Sequence, residues 1–320
     1  MPVFEMPLEH LRVYQGSSPR PADFDQYWAE ALAEGMKTGL DYTLTPAEFR
    51  APGLACFDLW FTGTLGARIH CKLACPERVE GKIPGVAVFH GYMHHGGEWF
   101  ERLPYAYAGM AVLTMEARGQ GGLSEDVYSG AGPTLFGHIM RGIRDDDPQK
   151  LYYRDVYLDA VKTVRILMSM DFVDETRIGV TGKSQGGGIS VAVSGLVPEV
   201  KLCAPLYPFL SDFKRVVDMD LNKGAYDGFY WYFKKCDPTH RTEREVFERL
   251  GYIDIQNHAP NVKAKVMWQT GLMDDQCPPS TQFAAYNKLP GQKNIILYPE
   301  HTHEMIYYAN DEIFSFLQAL

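Results

Sequence analysis

Apolar and polar positions along this chain repeat with two periods, one helical and one extended. Phe24, Tyr27, Trp28, Ala31 and Leu32 recur at helical spacing and predict a helix reaching about Met36, with Asp23 supplying acid to its first turn. Residues 55–61 and 67–75 read as strands, and Gly63 to Gly66 between them suits a hairpin. The continuous apolar runs at 85–90 and 111–115 predict strands covered on both faces. Arg118-Gly119-Gln120-Gly121-Gly122 then opens a loop rich in glycine and charge that extends to about Pro148. Tyr153, Val156, Tyr157, Ala160, Val161, Val164, Leu167 and Met168 make 152–169 the clearest amphipathic helix. Strands follow at 178–181, 200–206, 265–270 and 294–298, and helices at 188–193, 278–288 and 309–319.

Alternating strands and helices imply an α/β fold: a mostly parallel central sheet with helices on both faces, in one domain over 1–320. About 1–50 read as a helical N-terminal extension. Residues 208–258 break the rhythm with Tyr226, Phe229, Tyr230, Trp231, Tyr232 and Phe233 close together. They predict a helical insertion over the sheet's edge, its aromatics serving packing or subunit contacts. Ligands of such sheets bind at the carboxyl ends of the strands, so the residues after each strand carry the search for chemistry.

Composition narrows the classes. With 46% hydrophobic and 22% charged residues, the 320-residue chain reads as a globular protein. A formal charge of −9 argues against a nucleic-acid partner. No run approaches the ~20 apolar residues of a membrane span. The start, Met1-Pro2-Val3-Phe4-Glu5-Met6-Pro7, shows no signal peptide, so a cytoplasmic location is expected. Six cysteines form no Cys-x-x-Cys pair. Cys71 and Cys75 on one strand would lie about 13 Å apart, too far to bridge. Buried thiols in a reducing compartment are expected.

The chemistry centres on 177–192, where a short apolar strand enters Gly182-Lys183-Ser184-Gln185-Gly186 and leaves into a run of small and apolar residues. This is the G-x-S-x-G nucleophile elbow in its required strand–turn–helix context. Ser184 must stand at the tip of a strained turn, and Gly182 and Gly186 let strand and helix approach around it. A glycine-rich turn with an incidental serine is the plainer alternative, and the flanking elements tell against it. An activated serine needs a base and a group to orient that base. Asp274-Asp275 follow the strand at 265–270, and His301 and His303 follow that at 294–298, in the chain order Ser, Asp, His. Sequence logic leaves open which acid and which histidine serve. A metal at His301-x-His303 is disfavoured because no further ligand stands at metal spacing. One oxyanion donor is expected at the backbone N–H of Gln185, the other in His90-Gly91-Tyr92, at Tyr92 N–H. His90 precedes the turn and reads as structural.

Together, His90-Gly91-Tyr92, Arg118-Gly119-Gln120-Gly121, Gly182-x-Ser184-Gln185-Gly186 and His303-Glu304 resemble carbohydrate esterase family 7, the acetyl xylan esterases and cephalosporin C deacetylases. Gly271-Leu272-Met273-Asp274, Cys277-Pro278-Pro279-Ser280-Thr281, Phe283-Ala284-Ala285-Tyr286-Asn287 and Pro208-Phe209-Leu210-Ser211-Asp212 extend the likeness over the whole chain. The resemblance implies an α/β-hydrolase fold, nucleophile Ser184, base His303, orienting acid Asp274 and oxyanion donors Tyr92 and Gln185. It implies supporting roles for His90, Gly91, Arg118, Gly119, Gln120, Gly182, Gly186 and Glu304, with Arg118 and Gln120 bracing the site's loops. It also implies no metal or cofactor, substrates that are small acetylated carbohydrates, and an intracellular hexamer. Lys183, Met93-His94-His95 and His301-Thr302 depart from the family pattern and bear on substrate preference and pH profile. Rival readings are a prolyl-oligopeptidase-like peptidase, for whose propeller the chain has no blade repeat, a carboxylesterase for longer acyl chains, and a non-catalytic binding protein.

Overall fold

The computed structural model describes residues 5–127 and 137–320. The first four residues of the expected leaderless start, and 128–136 of the glycine-rich loop, lie outside the described residues.

From the amino end, α1 (Leu8–Leu11) and α2 (Phe24–Gly35) precede β1 (Tyr42–Pro46), β2 (Leu54–Thr62), β3 (Arg68–Pro76) and β4 (Ile83–Phe89). Next come α3 (Leu103–Tyr107), β5 (Ala111–Met115), α4 (Tyr152–Ser169), β6 (Val173–Lys183), α5 (Gln185–Leu196) and β7 (Leu202–Leu206). Four helices follow: α6 (Phe213–Asp218), α7 (Asp227–Lys235), α8 (Glu243–Leu250) and α9 (Ile255–His258). The chain closes with β8 (Lys265–Gly271), α10 (Pro279–Tyr286), β9 (Lys293–Tyr298) and α11 (Ala309–Leu317).

The nine strands of the described residues form one sheet in the order β1-β2-β3-β5-β4-β6-β7-β8-β9. From β5 through β9 every pairing is parallel, while β1, β2, β3 and β5 pair antiparallel. The hairpin at 63–66 joins β2 and β3 as the sequence predicts. β1 was not predicted: the N-terminal extension is not wholly helical but adds an edge strand to the sheet.

Period-two alternation divides each central strand between two cores. In β4, Ala87 and Phe89 face the core under α2, α4 and α5, while Val86 faces the core under α11. α4 departs from its predicted amphipathic form, since Arg154, Asp155, Asp159 and Lys162 on its polar side are buried too. Each charge there has a partner. Arg154 meets Glu34 at 2.6 Å, and Lys162 donates to Thr38 Oγ1 and to the Thr62 carbonyl at 2.7 Å each. The hydrophobic pattern cannot show such burial, because it depends on partners distant in sequence.

The insertion is helical as predicted, but it does not cover a sheet edge. It packs on α5 and α10 and rises over the carboxyl ends of the central strands, where residues 221–226 wall a pocket. Tyr226, Phe229 and Phe233 point inward at spacings of three and four, and of the six clustered aromatics only Tyr230 is exposed. All six cysteines are free thiols, five of them buried, with Cys236 exposed against expectation. Among the described residues no helix is long and apolar enough to cross a membrane.

Candidate active site

β6 runs into Ser184, which takes φ 55° and ψ −118°, and α5 starts at the next residue. A β-carbon on an L residue disfavours this region, and the surroundings hold Ser184 there. Its N–H donates to the Leu206 carbonyl at 2.9 Å, and its carbonyl accepts from Phe209 N at 2.9 Å and Gly188 N at 3.0 Å. The glycines flanking the turn are required by packing. A Cβ on Gly186 would stand 1.9 Å from the Phe89 carbonyl oxygen, and one on Gly182 2.5 Å from the same atom. The helix N-terminus thus sits beside the hydroxyl, with its unpaired N–H groups and positive dipole end directed at it.

Ser184 Oγ lies 3.0 Å from His303 Nε2, and His303 Nδ1 lies 2.8 Å from Asp274 Oδ2. Asp274 is fully buried, and its Oδ1 accepts from Gln276 N at 2.9 Å and Cys277 N at 2.7 Å. These acceptor contacts suit an ionised carboxylate, so Nδ1 donates and Nε2 is left to accept the serine proton. Asp275 is exposed and makes no hydrogen bond to His303. His301 bonds to Glu304 at 3.2 Å instead of reaching Ser184. Of the adjacent acids and paired histidines, the geometry joins Asp274 and His303 to Ser184. Glu304 is exposed and accepts from Thr302 N at 3.2 Å, closing the loop that carries His303 without touching Ser184 or Asp274.

The loop after β4 faces this cluster. Among the described residues, no protein acceptor takes the N–H of Tyr92 or of Gln185. His90 is buried; its Nδ1 donates to the Gly91 carbonyl at 2.7 Å and its Nε2 accepts from Ala117 N at 2.9 Å. Burial pushes its pKa down, which keeps the ring neutral and in the acceptor form that this second bond needs. Gln120 ties the pieces together. It exchanges amide bonds of 2.7 and 3.0 Å with Gln185, and its Oε1 accepts from Met93 N at 2.9 Å. Arg118 lies deeper, gripping Asp159 at 2.7 and 2.8 Å and Thr64 Oγ1 at 2.7 Å. It anchors the loop to α4 and does not reach Ser184. Gly119 has φ +61°, and a Cβ there would strike Asp126. Gly91 is less constrained, since a Cβ would find nothing nearer than 3.6 Å.

A cavity of about 520 Å³ opens above Ser184. Tyr207, Phe209 and Cys277 line it; Phe209 and Cys277 fall in stretches that carry the family likeness, but none of the three was given a role at the site from the sequence. Tyr207 also has a positive φ, 34°, and its ring centre lies 4.7 Å from that of His303. It directly follows the strand predicted at 200–206, so the strand-end rule could have found it. Leu221 and Lys223 come from the insertion, where no motif marks them. Asp274, Cys277 and His303 place potential metal ligands within 4.8 Å of one another. The donor set does not suit a metal, because both Asp274 oxygens already accept hydrogen bonds. Burial pushes the Cys277 thiol well above its ordinary pKa, and a metal would need the thiolate.

A family model described as acetyl xylan esterase matches residues 1–320. The structure of acetyl xylan esterase 1 from Thermoanaerobacterium sp. JW/SL YS485 superposes with a TM-score of 0.96 at 46% identity, over 98% of this chain and 99% of that one. An acetyl xylan esterase from Paenibacillus sp. R4 gives 0.93 at 35% identity, over the same shares. The acetyl esterase Axe7A of Xylanibacter ruminicola is 27% identical over 289 residues, 88% of this chain. The chain spans 63% of the length of that relative.

Proposed function

The chain belongs to the acetyl xylan esterase family, a family of carboxylic ester hydrolases with the α/β-hydrolase fold, and from that premise we propose that it removes O-acetyl groups from small acetylated carbohydrates through an acetyl-enzyme on Ser184. The observation that carries this reading is the unbroken relay of 3.0 and 2.8 Å from Ser184 through His303 to Asp274, at the base of a pocket.

His303 Nε2 takes the Ser184 proton as Oγ attacks the acetyl carbonyl carbon. Asp274 holds the imidazole in the required tautomer and stabilises the imidazolium. Negative charge gathers on the carbonyl oxygen, and the N–H groups of Tyr92 and Gln185 receive it. Such donors are most useful when fixed beforehand, and the Gln120–Gln185–Met93 bonds fix them. The C–O bond to the sugar then breaks, and His303 returns its proton to the leaving alkoxide. Water, deprotonated by the same Nε2, attacks the acetyl-enzyme; the bond from Ser184 Oγ to the acetyl carbon breaks, His303 returns the proton to Oγ, and acetate leaves.

Acetylated xylo-oligosaccharides are the proposed substrates, and the acetate ester of cephalosporin C presents the same bond. A closed hexamer in the cytoplasm fits this reading, since a polymer would have to thread a restricted entrance that a short oligosaccharide enters freely. A serine-directed fluorophosphonate should modify Ser184 and should not label Ser184→Ala. Labelling elsewhere, with Ser184 untouched, would contradict the assignment. Rates across esters of rising acyl length test the alternative carboxylesterase reading, and a flat profile would favour it.

A further inference from the structure

Lys183, directly before the nucleophile, lines the pocket together with Lys223 from the insertion. Both are exposed. Among the described residues neither ammonium has an ion pair or a side-chain hydrogen bond. Several other lysines are committed, Lys82 to Glu175, Lys214 to Asp218, Lys162 and Lys293 to backbone carbonyls, but among the described residues only Lys183 and Lys223 stand on the pocket. The chain carries a formal charge of −9, so two unpaired cations around one serine invert the prevailing sign. Among the described residues, Asp275, also exposed and unpaired, supplies the one opposing carboxylate on the rim, and His94 lines the same space.

We propose that the pocket favours acetyl esters that also carry a carboxylate, with Lys183 and Lys223 as its specificity determinants. The carboxylate would belong either to a uronic acid on the oligosaccharide or to a small organic acid. The proposal rests on the esterase reading of Ser184. Exposed ammonium groups act on encounter and binding, so they should change KM and kcat/KM more than kcat, and salt should screen them. Asp275 acts in the opposite sense.

The test compares kcat/KM for 4-acetoxybenzoate with that for 4-acetoxybenzamide, an anionic and a neutral acetate of matched shape. A second pair is acetylated xylo-oligosaccharides with and without a uronic acid branch. The anionic-to-neutral ratio cancels any general loss of folding or turnover. In at least one pair it should fall about threefold in Lys183→Met or Lys223→Met and further in the double variant, which keeps the apolar stems. It should rise about twofold in Asp275→Asn, and the wild-type ratio should drop at ~1 M salt, where the Debye length is about 3 Å. The responding pair identifies which carboxylate the lysines reach. A ratio unchanged in the double variant for both pairs overturns the proposal, as does a fall in Asp275→Asn. Hydrolysis of no acetate at all by the wild type would instead overturn the esterase reading.

Discussion

Two hydrogen bonds to one imidazole decide what Ser184 can do. Asp274 is fixed by two backbone N–H groups before it meets His303, so its orientation does not depend on substrate. Ser184→Ala should lower kcat by several orders of magnitude while leaving the thermal midpoint nearly unchanged; a well-folded variant with near-normal turnover would remove the mechanism. Asp274→Asn should cost about 10⁴ in kcat, because an amide at that position favours the wrong tautomer of His303. Asp275→Asn on a neutral acetate should stay within about tenfold, because its exposed carboxylate makes no bond to His303. Steady-state rates of the two variants side by side decide the assignment, and greater damage at Asp275 would reverse it. These residues were legible because each directly follows a strand or forms a local motif. Residue spacing left the choice between Asp274 and Asp275 open, because it depends on which of two neighbours meets His303, and only the family resemblance pointed to Asp274.

At the scale of elements, the elbow depends on how closely β4 and α5 approach. Gly186→Ala would place a methyl group inside the Phe89 carbonyl and should cost about 3 kcal/mol or prevent folding. Gly91→Ala meets only ordinary contacts and should stay within about 1 kcal/mol. Urea denaturation midpoints compare the two, and equal losses would mean that the elbow tolerates more separation than its contacts indicate. The loops after β4 and β5 meet at Glu116, which accepts from Gly96 N at 3.0 Å, Leu123 N and the buried His70 at 2.8 Å. Burial works against the charged carboxylate, but these bonds hold its pKa down at about 2. Its stabilising contribution is therefore present above its ordinary 4.5 and is lost as pH falls from there toward 2. Urea midpoints of Glu116→Gln should accordingly vary less than those of wild type over that window; an unchanged acid slope would show that Glu116 gains nothing from the bonds. Parallel strands, the elbow and the helices flanking the sheet were readable because apolar periodicity records burial against the sheet. Edge strand β1 was not, since four of its five residues are exposed and leave little pattern. The buried charges of α4 were hidden because Arg118, Glu34 and Thr38 reach them from other parts of the chain.

For the whole molecule, the proposed hexamer draws less on the insertion than its aromatic content suggested. Tyr226, Phe229 and Phe233 are spent on the subunit's own core, whereas Met305, Tyr307 and Tyr308 stand 68–79% exposed just beyond His303. Light scattering should give a mass of several subunits, and polymeric xylan should be deacetylated more slowly per acetyl group than its oligosaccharides. A monomer, or equal rates, would remove the case for restricted access. The central claim is that an acetyl group passes through Ser184. Rapid acid quenching during turnover of an aryl acetate, followed by peptide mass spectrometry, tests it most directly. The account predicts one added acetyl group on the peptide bearing Ser184, absent from Ser184→Ala. Rapid turnover with that peptide never acetylated, or with the acetyl group on another residue, would contradict it.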